Sequence, residues 1–233
     1  MIFAAKTDKG KVRENNEDFF YANENVLIVA DGMGGHNAGE VASRIATETI
    51  VETLSGFMSN YGYIIDKAIN KANEKVFSLA KDDRAGMGTT VDICMTDGEK
   101  LYIGHVGDSR VYLIRDGEIK KITEDHSYVE MLIKKGEITE EEAKNYPMKN
   151  MITRAIGVGK EVKGDFYEIG LEKSDKVLLC TDGLTNMLTD NEILKIVSGA
   201  KNIAAAVDKL VSKANSAGGK DNITVILAEK NVG

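Results

Sequence analysis

Two stretches of the chain are apolar at nearly every position and end in an Asp-Gly pair. They are Val26-Leu27-Ile28-Val29-Ala30-Asp31-Gly32 and Val177-Leu178-Leu179-Cys180-Thr181-Asp182-Gly183. An unbroken apolar run of this length predicts a strand buried on both faces. Each run then leaves a carboxylate at the rim of the core, where a charge is costly unless it is paired or bound to a cation. Two such strand ends, far apart in sequence, predict carboxylates gathered around cations. The pairs Asp97-Gly98 and Asp116-Gly117 read differently. They lie between short strand-like runs (Ile93 to Thr96, Leu101 to Val106, Val111 to Arg115, Ile119 to Thr123), where Asp-Gly is an ordinary hairpin turn.

Helical periodicity fills the gaps between strands. Ala42, Ala46, Ile50 and Leu54 recur every four residues, with Val41 and Ile45 beside them, which predicts an amphipathic helix over Ala38 to Leu54. Ile65, Ile69, Ala72, Val76 and Leu79 predict a second from about Ile64 to Ala80. Residues 127–149 are charged and carry no strand pattern. Their spacing predicts two short helices joined at Gly136, an excursion over the surface that meets protein partners without reaching the cations. Strands are expected near Phe166 to Ile169 and Val177 to Cys180, helices over Glu192 to Val197 and Ile203 to Ala214, and a last strand over Ile223 to Ala228. Meandering strands with paired helices favour layered sheets covered by helices. Strict alternation of strand and helix is missing, which argues against a doubly wound parallel sheet.

Composition narrows the chemistry. The chain has 233 residues, 42% hydrophobic, with one proline, Pro147, which suits a single compact domain over 1–233. A formal net charge of −7 disfavours nucleic acid or an anionic membrane as the main partner. The first residues have no basic start or sustained apolar stretch, and no run reaches membrane-spanning length, so a cytoplasmic protein is expected. Cys94 and Cys180 sit in apolar segments and read as buried free thiols.

Five acidic clusters flanked by glycine or arginine carry the candidate chemistry. They are Arg13-Glu14-Asn15-Asn16-Glu17-Asp18, Asp31-Gly32-Met33-Gly34-Gly35-His36, Gly107-Asp108-Ser109-Arg110, Thr181-Asp182-Gly183 and Gly219-Lys220-Asp221-Asn222. Oxygen-only ligands suit Mg²⁺ or Mn²⁺ rather than zinc. His36, His105 and His126 show no paired ligand spacing, so structural roles are the expectation for them. A paired-metal carboxylate site clamps a phosphoryl group and lowers the pKa of water. Arg13 could hold phosphate oxygens bidentately. Rival phosphate chemistries lack their marks. Gly219-Lys220 runs into Asp221 instead of completing a nucleotide-binding loop, and there is no GxSxG elbow.

The ordered set resembles the metal-dependent protein Ser/Thr phosphatase family, type 2C (PPM), especially its compact bacterial members. The matching pieces are RENNED at 13–18, VADGMGGHNAGEVAS at 29–43, MGTT at 87–90, HVGDSR at 105–110, DHS at 125–127, NMITRAIG at 150–157, LLCTDGL at 178–184 and GGKDNITVI at 218–226. The resemblance implies an α+β fold: a central β-sandwich of two antiparallel sheets flanked by helices on both sides, in αββα layers. It implies a dinuclear Mn²⁺ or Mg²⁺ centre. Asp31 would bridge the ions, Gly32 would lend its carbonyl, Asp182 and Asp221 would complete one shell, and Glu17 and Asp18 would hold the second ion. Arg13 would bind the substrate phosphate, and a metal-bridging water would be the nucleophile. Asp108 with Asp182 matches the place of a third, weaker metal. His36 is a candidate substrate contact, and 127–149 corresponds to the family's variable flap. Eukaryotic members often carry a histidine where Met33 stands, so the leaving group must be protonated from elsewhere. The implied substrates are phosphoserine and phosphothreonine proteins, with a cognate Ser/Thr kinase as counterpart. Two other readings stay open: a dinuclear hydrolase of small phosphomonoesters, and a catalytically silent phosphoprotein-binding module. The intact acidic set argues against the second.

Overall fold

The computed structural model describes residues 1–34, 38–56, 59–143 and 145–230. Two antiparallel sheets face each other. One has the order β1 (Ile2–Asp8), β11 (Ile223–Glu229), β10 (Lys176–Cys180), β7 (Arg110–Arg115), β8 (Glu118–Lys121). The other has the order β2 (Asp18–Ala22), β3 (Val26–Met33), β5 (Val91–Thr96), β6 (Lys100–Val106), β9 (Asp165–Gly170), with a short β4 (Gly88–Thr89) on the end of β3. Helices α1 (Ala38–Leu54) and α2 (Tyr61–Leu79) cover the second sheet, packing on β3, β2 and β6. Helices α5 (Asp182–Thr185), α6 (Asp190–Ser198) and α7 (Ile203–Ser216) cover the first. The architecture is the αββα sandwich that the resemblance implies.

The continuous apolar runs follow from this layering. Along β3, Leu27 and Val29 point between the sheets, where they meet Val177, Leu179 and Ile226. Their neighbours Ile28 and Ala30 point the other way, against Ala42, Ala46, Ile50, Ile65 and Ile69 of α1 and α2. On β10, Val177 and Leu179 face inward while Leu178 and Cys180 pack under Val207 and Leu210 of α7. Both faces of these strands are therefore out of water, and each fully buried Leu or Ile contributes roughly 1.5–3 kcal/mol. Alanines at 42 and 46, both fully buried, let α1 lie close on its sheet. Cys94 lies between the sheets and Cys180 on the helix side, and both are free and buried.

The hairpin turns fall where expected. Gly98 turns with φ 95°, and Asp116-Gly117 takes the left-handed pair 51° and 79° between β7 and β8. Helix α2 starts three residues before its predicted onset, because Asn60 caps it by accepting from the Tyr63 N–H. The N-terminal strand β1 has no clear signature in the sequence. It is an edge strand, its Ile2 and Phe3 exposed, so its residues need not alternate cleanly. Residues 127–149 do hold two short helices, α3 (Tyr128–Lys134), capped by Ser127, and α4 (Glu140–Ala143). The roots of this excursion are tied together by a bridge between Ser127 and Ile152 and by the Thr153 N–H donating to the His126 carbonyl at 2.7 Å. No described helix is long and apolar enough to cross a membrane.

Candidate metal centre

The inter-sheet core changes character at one end. Two residues beyond Val29, the same face of β3 presents Asp31; two beyond Leu179 comes Thr181, and two before Ile226 comes Thr224. Oil gives way to oxygen at the rim of the sandwich. Asp31 does not end its strand, as the sequence suggests. β3 continues to Met33, and Asp31 pairs directly opposite Asp18 of β2. Side chains opposite each other on neighbouring strands share one face, so the two carboxylates are neighbours by register.

Backbone and hydroxyl partners fix each group. The Asp31 N–H donates to Thr90 Oγ1 at 2.9 Å, and the Asp31 carbonyl accepts from the Thr90 N–H and Thr89 Oγ1, each at 2.9 Å. Asp18 is buried, and its Oδ2 accepts from Thr181 Oγ1 at 2.9 Å and Thr224 Oγ1 at 2.7 Å. Asp182 opens α5, where Asn186 Nδ2 donates to its Oδ2 at 2.9 Å. Asp221 Oδ1 accepts the Asn222 N–H at 2.9 Å, and its Oδ2 accepts Arg13 Nη2 at 2.8 Å. Asp108 follows Gly107, whose φ of 119° and close approach to Thr90 exclude a side chain.

Asn222 ties the pieces together. Its Nδ2 donates to the carbonyls of Lys9 and Asn15, and its Oδ1 accepts the Glu17 N–H at 2.7 Å. The Glu17 carbonyl in turn accepts the Gly32 N–H and Ser43 Oγ. A Cβ at Gly32 would sit 2.2 Å from the Gly39 carbonyl oxygen, and one at Gly39 2.6 Å from Glu17 Oε2. Glycine at both places lets the start of α1 press against Glu17. Sequence reasoning passed over Asn222, Thr90, Thr181 and Thr224 as individual residues. Thr181 and Thr224 were visible as polar breaks in otherwise apolar strands; Asn222 carried no signal beyond its neighbour Asp221.

The result is a cleft of about 230 Å³ lined by Arg13, Glu17, Asp31, Asp108, Asp182 and Asp221, with Gly32 and Met33 on its wall. Asp18 lies buried beside it. His36 is outside the described residues. His105 and His126 are both buried and hydrogen-bonded. His105 Nδ1 pairs with Asp92 Oδ1 at 2.6 Å, and His126 Nδ1 accepts the Gly107 N–H at 3.0 Å. A second cavity of about 970 Å³ lies between α3–α4 and α5–α6, and Asp108 and Asp182 border it too. The excursion thus lines one side of a cavity that Asp108 and Asp182 also border. Its folded-back roots place Asn150 and Ile152 on the small cleft itself.

So many carboxylates in one place cannot all ionise cheaply. Burial first, then the charges of Asp18, Asp182, Asp108 and Asp221, holds the Asp31 carboxyl well above its usual range. Burial also pushes Asp18 up to about 7, against the hydrogen bonds from Thr224 and Thr181. Asp108 and Asp182 shift upward for the same first reason, followed by the charge of Asp182 on the one and of Asp221 on the other. Among the described residues no three acidic, histidine or cysteine side chains are close enough together to hold a metal ion as they stand. The fit to hard cations rests on two other observations. Among the described residues, Asp18 Oδ1 and Asp182 Oδ1 are buried without a hydrogen-bond partner. An orphaned carboxylate oxygen beside like charges is what a divalent cation relieves.

A pH effect follows. The folded, metal-free protein binds protons that the unfolded chain has released. That stability is complete below the ordinary aspartate value of 3.8 and is lost as pH rises through about 7. Urea unfolding in chelator should therefore show a less stable protein at about pH 8 than at about pH 5, and Mn²⁺ should restore most of the difference. Equal stability at both pH values in chelator would mean that the carboxylates do not crowd one another as described.

Comparison with known proteins agrees with this geometry. The profile of the protein phosphatase 2C family matches residues 9–228. The chain is 39% identical to serine/threonine phosphatase stp of Listeria innocua, across 97% of this chain and 95% of that one. It is 40% identical to protein phosphatase PhpP of Streptococcus pneumoniae, across 99% and 98%. It superposes with TM-score 0.91 and 36% identity on the catalytic domain of serine/threonine protein phosphatase PstP in complex with two manganese ions, covering 98% of this chain and 97% of that one. Matched along nearly its whole length by sequence and by shape, this chain belongs to the protein phosphatase 2C family.

Proposed function

We propose that the protein hydrolyses phosphoserine and phosphothreonine esters in phosphoproteins, at a centre holding two Mn²⁺ or Mg²⁺ ions. The observation that carries this reading is the pair of buried carboxylate oxygens on Asp18 and Asp182 that have no hydrogen-bond partner among the described residues. Asp31, the Gly32 carbonyl, Asp182 and Asp221 would hold one ion, and Glu17 and Asp18 would hold the second. Asp108, which shares the cleft with Asp182, is suited to a third and weaker ion. When bound, the ions supply an activated water and neutralise charge on the phosphoryl group.

The chain's own residues do the rest. Arg13 keeps one nitrogen on Asp221 and leaves just over half of its side chain exposed, so the guanidinium can turn its free edge to phosphate oxygens. Asn222 and the Glu17 carbonyl hold Asp221, Gly32 and the Arg13 loop in one register. Met33, apolar and on the cleft wall, offers no proton, so leaving-group protonation falls to other groups. The cellular counterpart is a Ser/Thr kinase whose marks this enzyme removes.

A phosphothreonine peptide assayed with Mn²⁺, with and without chelator, tests the reading. Turnover that vanishes in chelator and returns with metal is expected; turnover indifferent to chelator would overturn it. Turnover of sugar phosphates in preference to phosphopeptides would assign the centre to small phosphomonoesters instead. Arg13→Ala should raise KM by about tenfold or more, because a charge-assisted contact to phosphate is lost. Arg13→Lys should recover only part of this, since a fork is replaced by a point charge. Unchanged KM and kcat in Arg13→Ala would remove the residue from the site.

A further inference from the structure

Two glycines meet back to back beside the cleft, and lysines flank both. Gly10 lies in Lys9-Gly10-Lys11 and Gly219 in Gly218-Gly219-Lys220. A Cβ on Gly10, which has φ 79°, would sit 2.2 Å from the Asp221 carbonyl oxygen and 2.8 Å from that of Gly219. The Lys11 N–H donates to the Gly219 carbonyl at 2.7 Å, and Asn222 Nδ2 donates to the Lys9 carbonyl at 3.0 Å. The segment 9–11 is thus pinned along 219–222 by one backbone and one side-chain hydrogen bond, with the lysines next to that contact in the chain. Lys9, Lys11 and Lys220 are all exposed. Among the described residues, none of the three is in an ion pair of the kind that Lys6, Lys100, Lys134 and Lys176 make elsewhere on the surface.

This edge is the exception in its surroundings. The chain carries −7 overall, and the cleft next door is floored by carboxylates. Arg13 stands two residues after Lys11, and Lys220 immediately precedes Asp221. The three lysines therefore belong to the two segments that bring Arg13 and Asp221 to the cleft, the side on which the reading above places the substrate phosphate. Two residues of extended chain span about 7 Å and three about 10 Å. A group two or three residues away from the phosphoresidue, on an extended substrate, falls within reach of the lysines.

We propose that Lys9, Lys11 and Lys220 form an anion-binding lip that takes a second acidic group of the substrate, two or three residues from the phosphoresidue being hydrolysed. The group is a carboxylate or a second phosphate; both present the same chemistry to an ammonium. The inference rests on the phosphatase reading and gives that site a substrate preference. The lip makes no bond to the phosphate being cleaved and changes no step of the reaction. It lowers KM for substrates with acidic flanks, and it does so through exposed pairs that salt screens.

The test uses phosphothreonine peptides with neutral flanks, with Glu at two or three residues on either side, and with a second phosphoserine at those places. The full-length protein with Mn²⁺ should show a kcat/KM roughly five- to tenfold higher on acidic-flank peptides, as expected for a few exposed ion pairs, and the gain should fade at about 0.5 M salt. The triple variant Lys9→Gln, Lys11→Gln, Lys220→Gln should lose the preference while turning over an aryl phosphate at the wild-type rate. No flank preference in the wild type would overturn the proposal, as would a preference that survives in the triple variant. Equal loss on all substrates would also overturn it, since the lysines would then be supporting the centre electrostatically. A gain only with the second phosphate, or only with Glu, would identify which anion the lip takes. Fluorescence anisotropy with the same peptides in chelator reads binding without turnover. Tighter binding of acidic-flank peptides that is lost in the triple variant is expected, and equal binding by the two proteins would count against the lip. Wild-type protein that turns over no phosphopeptide at all would instead strike the phosphatase reading.

Discussion

Replacing Asp31 or Asp182 with asparagine is expected to lower kcat on a phosphothreonine peptide by roughly a thousandfold or more, with little change in fold. Each residue has a partner that asparagine can keep: Thr90 Oγ1 accepts the Asp31 backbone N–H, and Asn186 supports one Asp182 oxygen. What asparagine cannot keep is the charge. The same substitutions should have the opposite sign on stability. In chelator, Asp31 is disfavoured by burial and by four neighbouring carboxylates, so Asp31→Asn should unfold at a higher temperature than wild type. Activity lost while metal-free stability rises is a signature that a merely structural aspartate does not give. Thermal melts in chelator and kinetics in Mn²⁺ on the same preparation decide the matter. Near-wild-type kcat in either variant would sink the assignment of these residues to the metal centre.

Gly183→Ala should be among the most damaging single changes in the chain. An added Cβ would lie 1.8 Å from the Asn222 carbonyl oxygen and 2.9 Å from its carbon. Both partners are backbone at the start of β11, so neither can yield as a flexible side chain would. Overpacking of this kind costs about 1–3 kcal/mol or more. The strain acts where Asp182 and Asp221 must approach each other, one residue from each. Loss of stability, read by urea unfolding, should therefore come with loss of Mn²⁺ affinity, read by calorimetry. An Ala variant with both properties intact would mean that the two segments are less tightly apposed than they are here.

Residues 127–149 line part of the second cavity. Their charge and single proline suggested a surface excursion, and their helices are indeed short and polar. But the roots fold back across the Ser127–Ile152 bridge, and Asp108 and Asp182 border the space under α3 and α4. Pairing between residues 25 apart in sequence, across a segment with no strand pattern, leaves no local trace.

Local pattern determined a good deal. The helices over 38–54 and 203–214, the two turns at Asp97 and Asp116, and the doubly buried strands at 26–30 and 177–180 were all legible, because each depends on periodicity or on glycine's freedom within a few residues. The acidic clusters were legible as a set through their ordered resemblance to a known family. The edge strand β1 was not, because a strand exposed on much of its surface needs no apolar alternation. Nor was the end of β3 beyond Asp31, since continuation there depends on pairing with Gly88 and Thr89, more than fifty residues away. Tertiary structure alone decided which oxygens meet. Asp18 faces Asp31 by strand register, Thr181 and Thr224 reach Asp18 only because two sheets stack face to face, and Asn222 becomes a clamp only when segments 9–17 and 219–222 lie side by side. The sequence by itself determined which residues could ligate and which strands would be buried, because both are properties of side chains and their spacing. The distances that turn separate carboxylates into one centre are set by packing between elements far apart in the chain, and no local pattern carries them.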